Sequence, residues 1–194
     1  MTSVLETRGR RLEYATIGWN CVEGIAAIAS GVAAGSIALV GFGLDSFIEV
    51  FAAAVVLWQM FDNNEQRERR ALRLIGLTFF ALAVYLVVDA SHDLITRTKP
   101  ETSTVGILVT VVSLIVMPAL ARAKRTAGRR LGNAALVADA AETRLCAYIS
   151  VSVLLGLALH SVLEWWWADP LAALVIAALA VREGREAWAG DTCC

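Results

Sequence analysis

Residues 37–60 read Ile37-Ala-Leu-Val-Gly-Phe-Gly-Leu-Asp45-Ser46-Phe-Ile-Glu49-Val-Phe-Ala-Ala-Ala-Val-Val-Leu-Trp-Gln-Met60, an apolar run interrupted by two acids. A hydrocarbon core about 30 Å thick needs roughly 20 helical residues to cross it, so this run is long enough to span. Its acids then fall well inside the bilayer, where insertion scales put a charged side chain at about 2.5 to 3.5 kcal/mol. The i, i+4 spacing places both carboxylates on one helical face, able to grip one ion. A sheet edge cannot satisfy its backbone in lipid, and no alternating barrel pattern is visible, so the run is read as a helix.

Working outward, five more apolar runs of similar length appear: Tyr14 to Ala34, Leu72 to Ile95, Thr104 to Ala121, Asn133 to Leu159 and Trp165 to Val181. With Ile37 to Met60 they predict an all-α integral membrane protein of six transmembrane helices. Composition agrees, because 58% hydrophobic residues and a mean hydropathy of +0.63 exceed the usage of soluble domains. The net charge of -1 says less than the placement of the charges. Fourteen of the seventeen Lys and Arg fall at one membrane face: Arg8, Arg10 and Arg11, then Arg67, Arg69, Arg70 and Arg73, then Arg122, Lys124, Arg125, Arg129 and Arg130, then Arg182 and Arg185. Arg97 and Lys99 lie at the other, and Arg144 lies inside a span. The positive-inside rule therefore places both termini in the cytoplasm.

The expected organisation is a cytoplasmic N-terminal segment over residues 1–13, a six-helix transmembrane domain over 14–181 and a short cytoplasmic tail over 182–194. No cleavable signal is expected, since the first apolar run is too long for a signal-peptide core. Trp165, Trp166 and Trp167 suit the outer interface, with Asp169 as a cap and Pro170 in the first turn of the sixth helix. Cys21 and Cys146 inside spans, and Cys193 and Cys194 in the tail, do not form a disulfide framework. The tail pair is a weak candidate for capturing soft metals.

The fifth run repeats the spacing of the second. In Asn133-Ala-Ala-Leu-Val-Ala-Asp139-Ala-Ala-Glu142-Thr-Arg144-Leu-Cys146, Glu142 and Cys146 stand four residues apart. Ala135-Leu136-Val137 precedes them as Ala38-Leu39-Val40 precedes Asp45 and Glu49. Two such pairs on facing helices of opposite direction supply four metal ligands, Asp45, Glu49, Glu142 and Cys146, the number a tetrahedral divalent site takes. Each has a bland alternative: the acids as structural partners of neighbouring helices, Glu142 as a partner of Arg144, and Cys146 as a small core residue. Asn20, Glu23 and Asp139 are candidates for a second shell or a proton site, or for interhelical hydrogen bonds and, for Asp139, attraction of cations at the cytoplasmic mouth. Asp89, His92 and Asp93 read as solvated groups near the outer end of the third helix.

These stretches resemble the cation diffusion facilitator (cation efflux) family of divalent metal transporters. Gly-Ser36-Ile-Ala-Leu-Val-Gly-Phe-Gly-Leu-Asp45-Ser46-Phe-Ile-Glu49 is similar to its helix 2 signature, Asn133 to Glu142 to its helix 5 signature, and Trp-Ala-Asp169-Pro170-Leu-Ala-Ala to its helix 6 opening. The chain differs in having Glu142 and Cys146 where the family commonly has His and Asp, and Glu49 where it has Asp. The resemblance implies a short member without the family's C-terminal cytoplasmic domain, a homodimer, and a multi-pass protein of the inner, cytoplasmic membrane. It further implies a secondary transporter, not an enzyme, that exports a divalent metal in exchange for protons. The carboxylate and thiolate set suits Zn²⁺ as the transported ion, with Cd²⁺, Co²⁺, Fe²⁺ and Ni²⁺ close behind, and disfavours the hard ions. The expected partners are the metal ion, protons and the lipid bilayer, with no nucleic acid and no organic cofactor. The rival readings are a non-transporting membrane scaffold, suggested by small-residue packing such as Gly31-x-x-x-Gly35, a metal-sensing protein, and a small membrane enzyme using buried carboxylates.

Overall fold

The computed structural model describes residues 2–34, 37–61, 64–97, 103–163 and 167–190, and within them it is all-helical. Six helices follow in order: α1 (Thr2–Ala34), α2 (Ile37–Met60), α3 (Glu65–Thr96), α4 (Thr104–Leu131), α5 (Ala134–Leu163) and α6 (Ala168–Ala189). Among the described residues, α2, α3 and α4 are long and apolar enough to cross a membrane by length and composition alone. The other three carry the charges that dilute their apolarity, including Glu13 and Glu23 on α1 and Asp139, Glu142 and Arg144 on α5.

The helices outrun the apolar segments. α1 begins twelve residues before Tyr14, α3 seven before Leu72, α4 ends ten after Ala121 and α6 eight after Val181. Hydropathy marks what contacts lipid, whereas a helix continues through Arg, Glu, Lys and Ala until something stops it. The stops are local. Asn64 and Ser103 accept hydrogen bonds from the Arg67 and Gly106 amides at the starts of α3 and α4, and Gly132 and Gly190 turn left-handed after α4 and α6. The basic residues expected in the connection between the fourth and fifth spans therefore lie on helix α4. Asp169 is likewise the second residue of α6, and Trp167 holds the cap position without a side-chain cap bond. Trp165, Trp166, Cys193 and Cys194 lie outside the described residues, as do Gly35 and Ser36.

The most extensive packing joins α1 with α2, α3 with α6 and α4 with α5. Two of these pairs cross at facing glycines. A Cβ on Gly43 would stand 2.8 Å from the Gly24 carbonyl oxygen and 3.0 Å from the Ile28 amide, and one on Gly76 would stand 3.0 Å from the Gly184 oxygen. Without side chains there, the backbones approach closely enough for dispersion to hold helices that lipid does not push together. Gly43→Ala is expected to force α1 and α2 apart and lower the melting temperature of the purified protein. Gly18→Ala, where a Cβ meets nothing within 4 Å, should raise stability by about 0.4 to 1 kcal/mol. Equal melting of the two variants would remove the crossing from this account.

One end of the bundle gathers the start of α1, the end of α2, the start of α3, the α4–α5 turn and the end of α6. Gly9 packs among Met60, Leu131 and Leu136, and the Arg10 guanidinium lies over the Phe61 ring at 5.8 Å. The Asn133 amide nitrogen donates to Gln59 Oε1 at 2.7 Å while its oxygen accepts from the Leu136 amide at 2.9 Å, so one side chain caps α5 and ties it to α2. The Glu68 carboxylate accepts from the Ala134 amide at 2.7 Å. These bonds make α2 and α5 antiparallel neighbours, as the paired spacing requires.

Candidate functional site

Polar residues in the interior fall into layers counted from this terminal end. At 1.5 Å per residue, Asp139 lies about 9 Å beyond Asn133, Glu142 about 14 Å and Cys146 about 20 Å. Running the other way, Glu49 lies about 16 Å beyond Met60 and Asp45 about 22 Å. The second and fifth helices therefore bring their paired side chains to overlapping depths. Asp45, Glu49, Glu142 and Cys146 are 3%, 1%, 2% and 2% exposed, respectively, so all four face protein and not the surroundings.

The Cys146 thiol stands beside the carboxyls of Asp45 and Glu49, and Glu142 lies within electrostatic range of both. Glu23 reaches the same group from α1, next to Glu49 and Asp45. The unusual property of this cluster is what it lacks. Both carboxyl oxygens of Glu23, Glu49 and Glu142, and Oδ2 of Asp45, are buried and have no well-aligned hydrogen-bond donor, although Ser113, Trp19, Thr143, Thr78 and the Cys146 thiol stand close to them. The nearby hydroxyls are committed elsewhere: Thr78, beside Glu142, donates to the Ile75 carbonyl at 2.6 Å, and Thr143, beside Glu49, donates to the Asp139 carbonyl at 3.2 Å. Ser113 and Trp19 stand next to Glu23, yet the Ser113 hydroxyl and the Trp19 indole nitrogen are themselves unpartnered. More than nine in ten buried backbone polar groups, and most side-chain ones, are satisfied in folded proteins, so four buried acids without well-aligned donors demand a reason. Among the described residues no three carboxyl, thiol or imidazole groups converge tightly enough to hold an ion in this arrangement. The four expected ligands are thus neighbours around one locus, not a closed coordination shell.

Asn20 and Glu23 are both fully buried on α1. Asn20 donates to the Thr16 carbonyl at 3.0 Å within its own helix, and its Oδ1 is left without a partner. Beyond Asp45, away from the terminal end, a cavity of about 30 Å³ is bounded by Asp45, Asp89, Tyr85 and Ser152. That is room for a water molecule or two. It brings Asp89 closer to the cluster than a solvated end of the third helix suggested. Arg144 turns away from Glu142 and pairs with Glu183 on α6 at 2.9 Å, so the alternative of a Glu142–Arg144 pair is not what forms.

Sequence reasoning missed the most tightly partnered charges. Lys124, counted among loop residues, is fully buried on α4 and ion-paired with Glu13 at 3.1 Å and with Asp139. Its ammonium also donates to the Thr143 hydroxyl at 3.1 Å. Asp139 is therefore neutralised by a lysine rather than open at a mouth. A signal was present: Lys124 stands three residues before Ala127 and four before Gly128, on the same buried stripe as the small residues Ala121, Ala127 and Gly128.

Residues 73–188 match the model of the cation efflux transmembrane domain, a range that includes Lys124, Asp139, Glu142 and Cys146 but begins after Asp45 and Glu49. The chain is 26% identical over 178 residues to transmembrane protein 163 of Xenopus laevis, covering 89% of this chain and 63% of that protein. It is 27% identical over 167 residues to the magnetosome protein MamB of Magnetospira sp. (strain QH-2), covering 80% and 57%. With the cation-efflux pump FieF of Shewanella oneidensis it shares 30% identity over 95 residues, 49% of this chain and 32% of the pump. The chain thus spans about three-fifths of the length of the first two relatives. With more than half of its residues matched, from α3 through α6, this six-helix membrane protein belongs to the cation efflux family.

Proposed function

We propose that the chain carries a divalent metal cation across the membrane by way of the cluster between α2 and α5. The observation that carries this reading is the set of buried acids, Glu23, Asp45, Glu49 and Glu142, whose oxygens, Oδ1 of Asp45 apart, have no well-aligned donor. Structural acids in lipid-embedded proteins are partnered, because an unpaired buried charge is costly. Acids left without well-aligned donors beside a thiol are instead suited to exchange a metal ion for protons. The cation brings the charge the carboxylates lack and displaces their protons, and reprotonation releases it. Rocking of the inverted α2 and α5 elements around the locus would turn that competition into metal-for-proton antiport.

The ligands Asp45, Glu49, Glu142 and Cys146 would have to close by small side-chain movements, with Glu23, Asn20 and Asp139 behind them. Mixed oxygen and sulfur donors favour Zn²⁺, with Cd²⁺, Co²⁺, Fe²⁺ or Ni²⁺ as competitors. The clustering of arginines at the terminal end favours cytoplasmic termini, and the family resemblance supports a homodimer in the inner membrane. Family membership favours this reading over the scaffold and enzyme alternatives.

Purified protein in liposomes containing a pH-sensitive dye and an external metal panel tests it. Zn²⁺ entry accompanied by an opposite proton flux is the expected result, and metal entry with no proton movement would overturn antiport. Cys146→Ala should lower Cd²⁺ and Zn²⁺ flux by about 10- to 100-fold while leaving Mn²⁺, which prefers oxygen donors, nearly unchanged. An unaltered metal ranking would remove Cys146 from the ligand set.

A further inference from the structure

The Lys124 layer lies between the terminal end and the metal cluster. Glu13 stands about 6 Å beyond Gly9, Asp139 about 9 Å beyond Asn133 and Lys124 about 12 Å before Gly132, so the three meet nearer that end than Glu142 or Glu49. All three are fully buried, and they come from three different helices, α1, α4 and α5. The Lys124 ammonium bridges Glu13 and Asp139 and touches the Thr143 hydroxyl. Thr143 stands in turn beside Glu49, and Lys124 itself is within electrostatic range of Glu49. The geometry points to a charged plug: Glu13, Lys124 and Asp139 form a gate that seals the metal cluster from the terminal end of the bundle, and Lys124 is a tethered cation that an incoming ion must displace.

Three features support a gate over a permanent staple. The layer lies where two closely packed pairs meet, α4 with α5 and α1 with α2, across the less extensive packing of α1 on α4. A movement of α1 with α2 against α4 with α5 would open this layer and leave the glycine crossing between α1 and α2 intact. The acids are also incompletely satisfied: neither Glu13 oxygen nor Asp139 Oδ1 has a hydrogen-bond donor in good geometry, and the one hydroxyl at the layer, Thr143, accepts from Lys124 and donates to a backbone carbonyl, not to either carboxylate. Finally, the layer sets two carboxyl groups from different helices against a single ammonium, so oxygen donors suited to a cation are present there and Lys124 occupies them.

The gate's purpose rests on the transport reading above, but its existence as a barrier can be measured without transport. With Cys21→Ser, Cys193→Ser and Cys194→Ser combined, Cys146 becomes the only thiol. Its rate of modification by a positively charged, membrane-impermeant methanethiosulfonate is then followed in right-side-out and inside-out vesicles. Lys124→Met alone leaves two buried carboxylates without a cation and risks unfolding. The deciding variant is therefore the neutral triple Glu13→Gln, Lys124→Met, Asp139→Asn, shown to be folded by its melting curve and monodispersity. Modification from the terminal side should rise at least tenfold in the triple variant, with the rate from the opposite side unchanged. A folded triple variant modified at the rate of the parent, or faster only from the opposite side, would overturn the gate. If modification rises as expected while Asp45→Asn retains full metal flux, the barrier stands and the transport site is the part that fails.

Discussion

Asp45→Asn is expected to lower divalent metal flux in proteoliposomes on the order of 100-fold, with the protein still folded. Replacing a residue that only orients a metal ligand costs about 10- to 100-fold in affinity, and loss of a direct ligand should reach at least the upper end. Asn keeps the size and one oxygen of Asp but cannot carry the charge that pairs with a divalent ion. Little in the fold leans on that charge: Asp45 is 3% exposed, its Oδ2 has no well-aligned hydrogen-bond donor, and among the described residues the buried Lys124 is ion-paired with Glu13 and Asp139 instead. Removing an unpartnered buried charge should therefore leave the melting temperature unchanged or raise it. The combination of a lost flux with retained or improved stability separates a substrate ligand from a structural acid, for which the two would fall together. Glu49→Gln should behave in the same way. Flux within twofold of wild type in both variants would remove α2 from the metal path.

Much of this architecture was legible because lipid leaves few options. Six apolar runs predict six helices, and the i, i+4 pairs on the second and fifth, Asp45 with Glu49 and Glu142 with Cys146, predict facing pairs on antiparallel neighbours; both follow from helix periodicity and the cost of charge in hydrocarbon. The ends of the helices were not legible from hydropathy, because Arg122 to Arg130 are as helical as the apolar turns before them, and only the left-handed Gly132 stops α4. The charge count had a second blind spot. The positive-inside rule treats every Lys and Arg near a span as a loop charge, yet Lys124 points inward from the helix that carries its exposed neighbours Arg122 and Arg125. A count weights it equally with those arginines, whereas the 3.6-residue period sets it on the stripe of Ala121, Ala127 and Gly128. Its partners come from Glu13 and Asp139, one of them more than a hundred residues away in sequence, and long-range pairing of that kind leaves no local pattern to read. The acid cluster is the intermediate case: spacing points to Asp45, Glu49 and Glu142, while the lack of well-aligned donors depends on where Thr78 and Thr143 direct their hydroxyls.

Lys124→Met should be the most destabilising single substitution among the interior polar residues, by about 3 to 5 kcal/mol at neutral pH. Met matches the length of the lysine stem, so packing changes little and the loss isolates the charge. It leaves Glu13 and Asp139 facing each other without a cation in a fully buried layer. The penalty arises chiefly from those stranded acids, not from the worth of the bridge, because two ions taken out of water recover little more than their desolvation when they pair. One consequence follows that a simple loss of contacts would not produce. Adding Glu13→Gln and Asp139→Asn to Lys124→Met should recover most of the lost stability, although it removes two more native side chains. Thermal melts of the single and triple variants in mild detergent read the effect. A triple variant less stable than the single one would mean that the layer holds the helices together by its specific geometry, and that neutral side chains of the same shape cannot replace it.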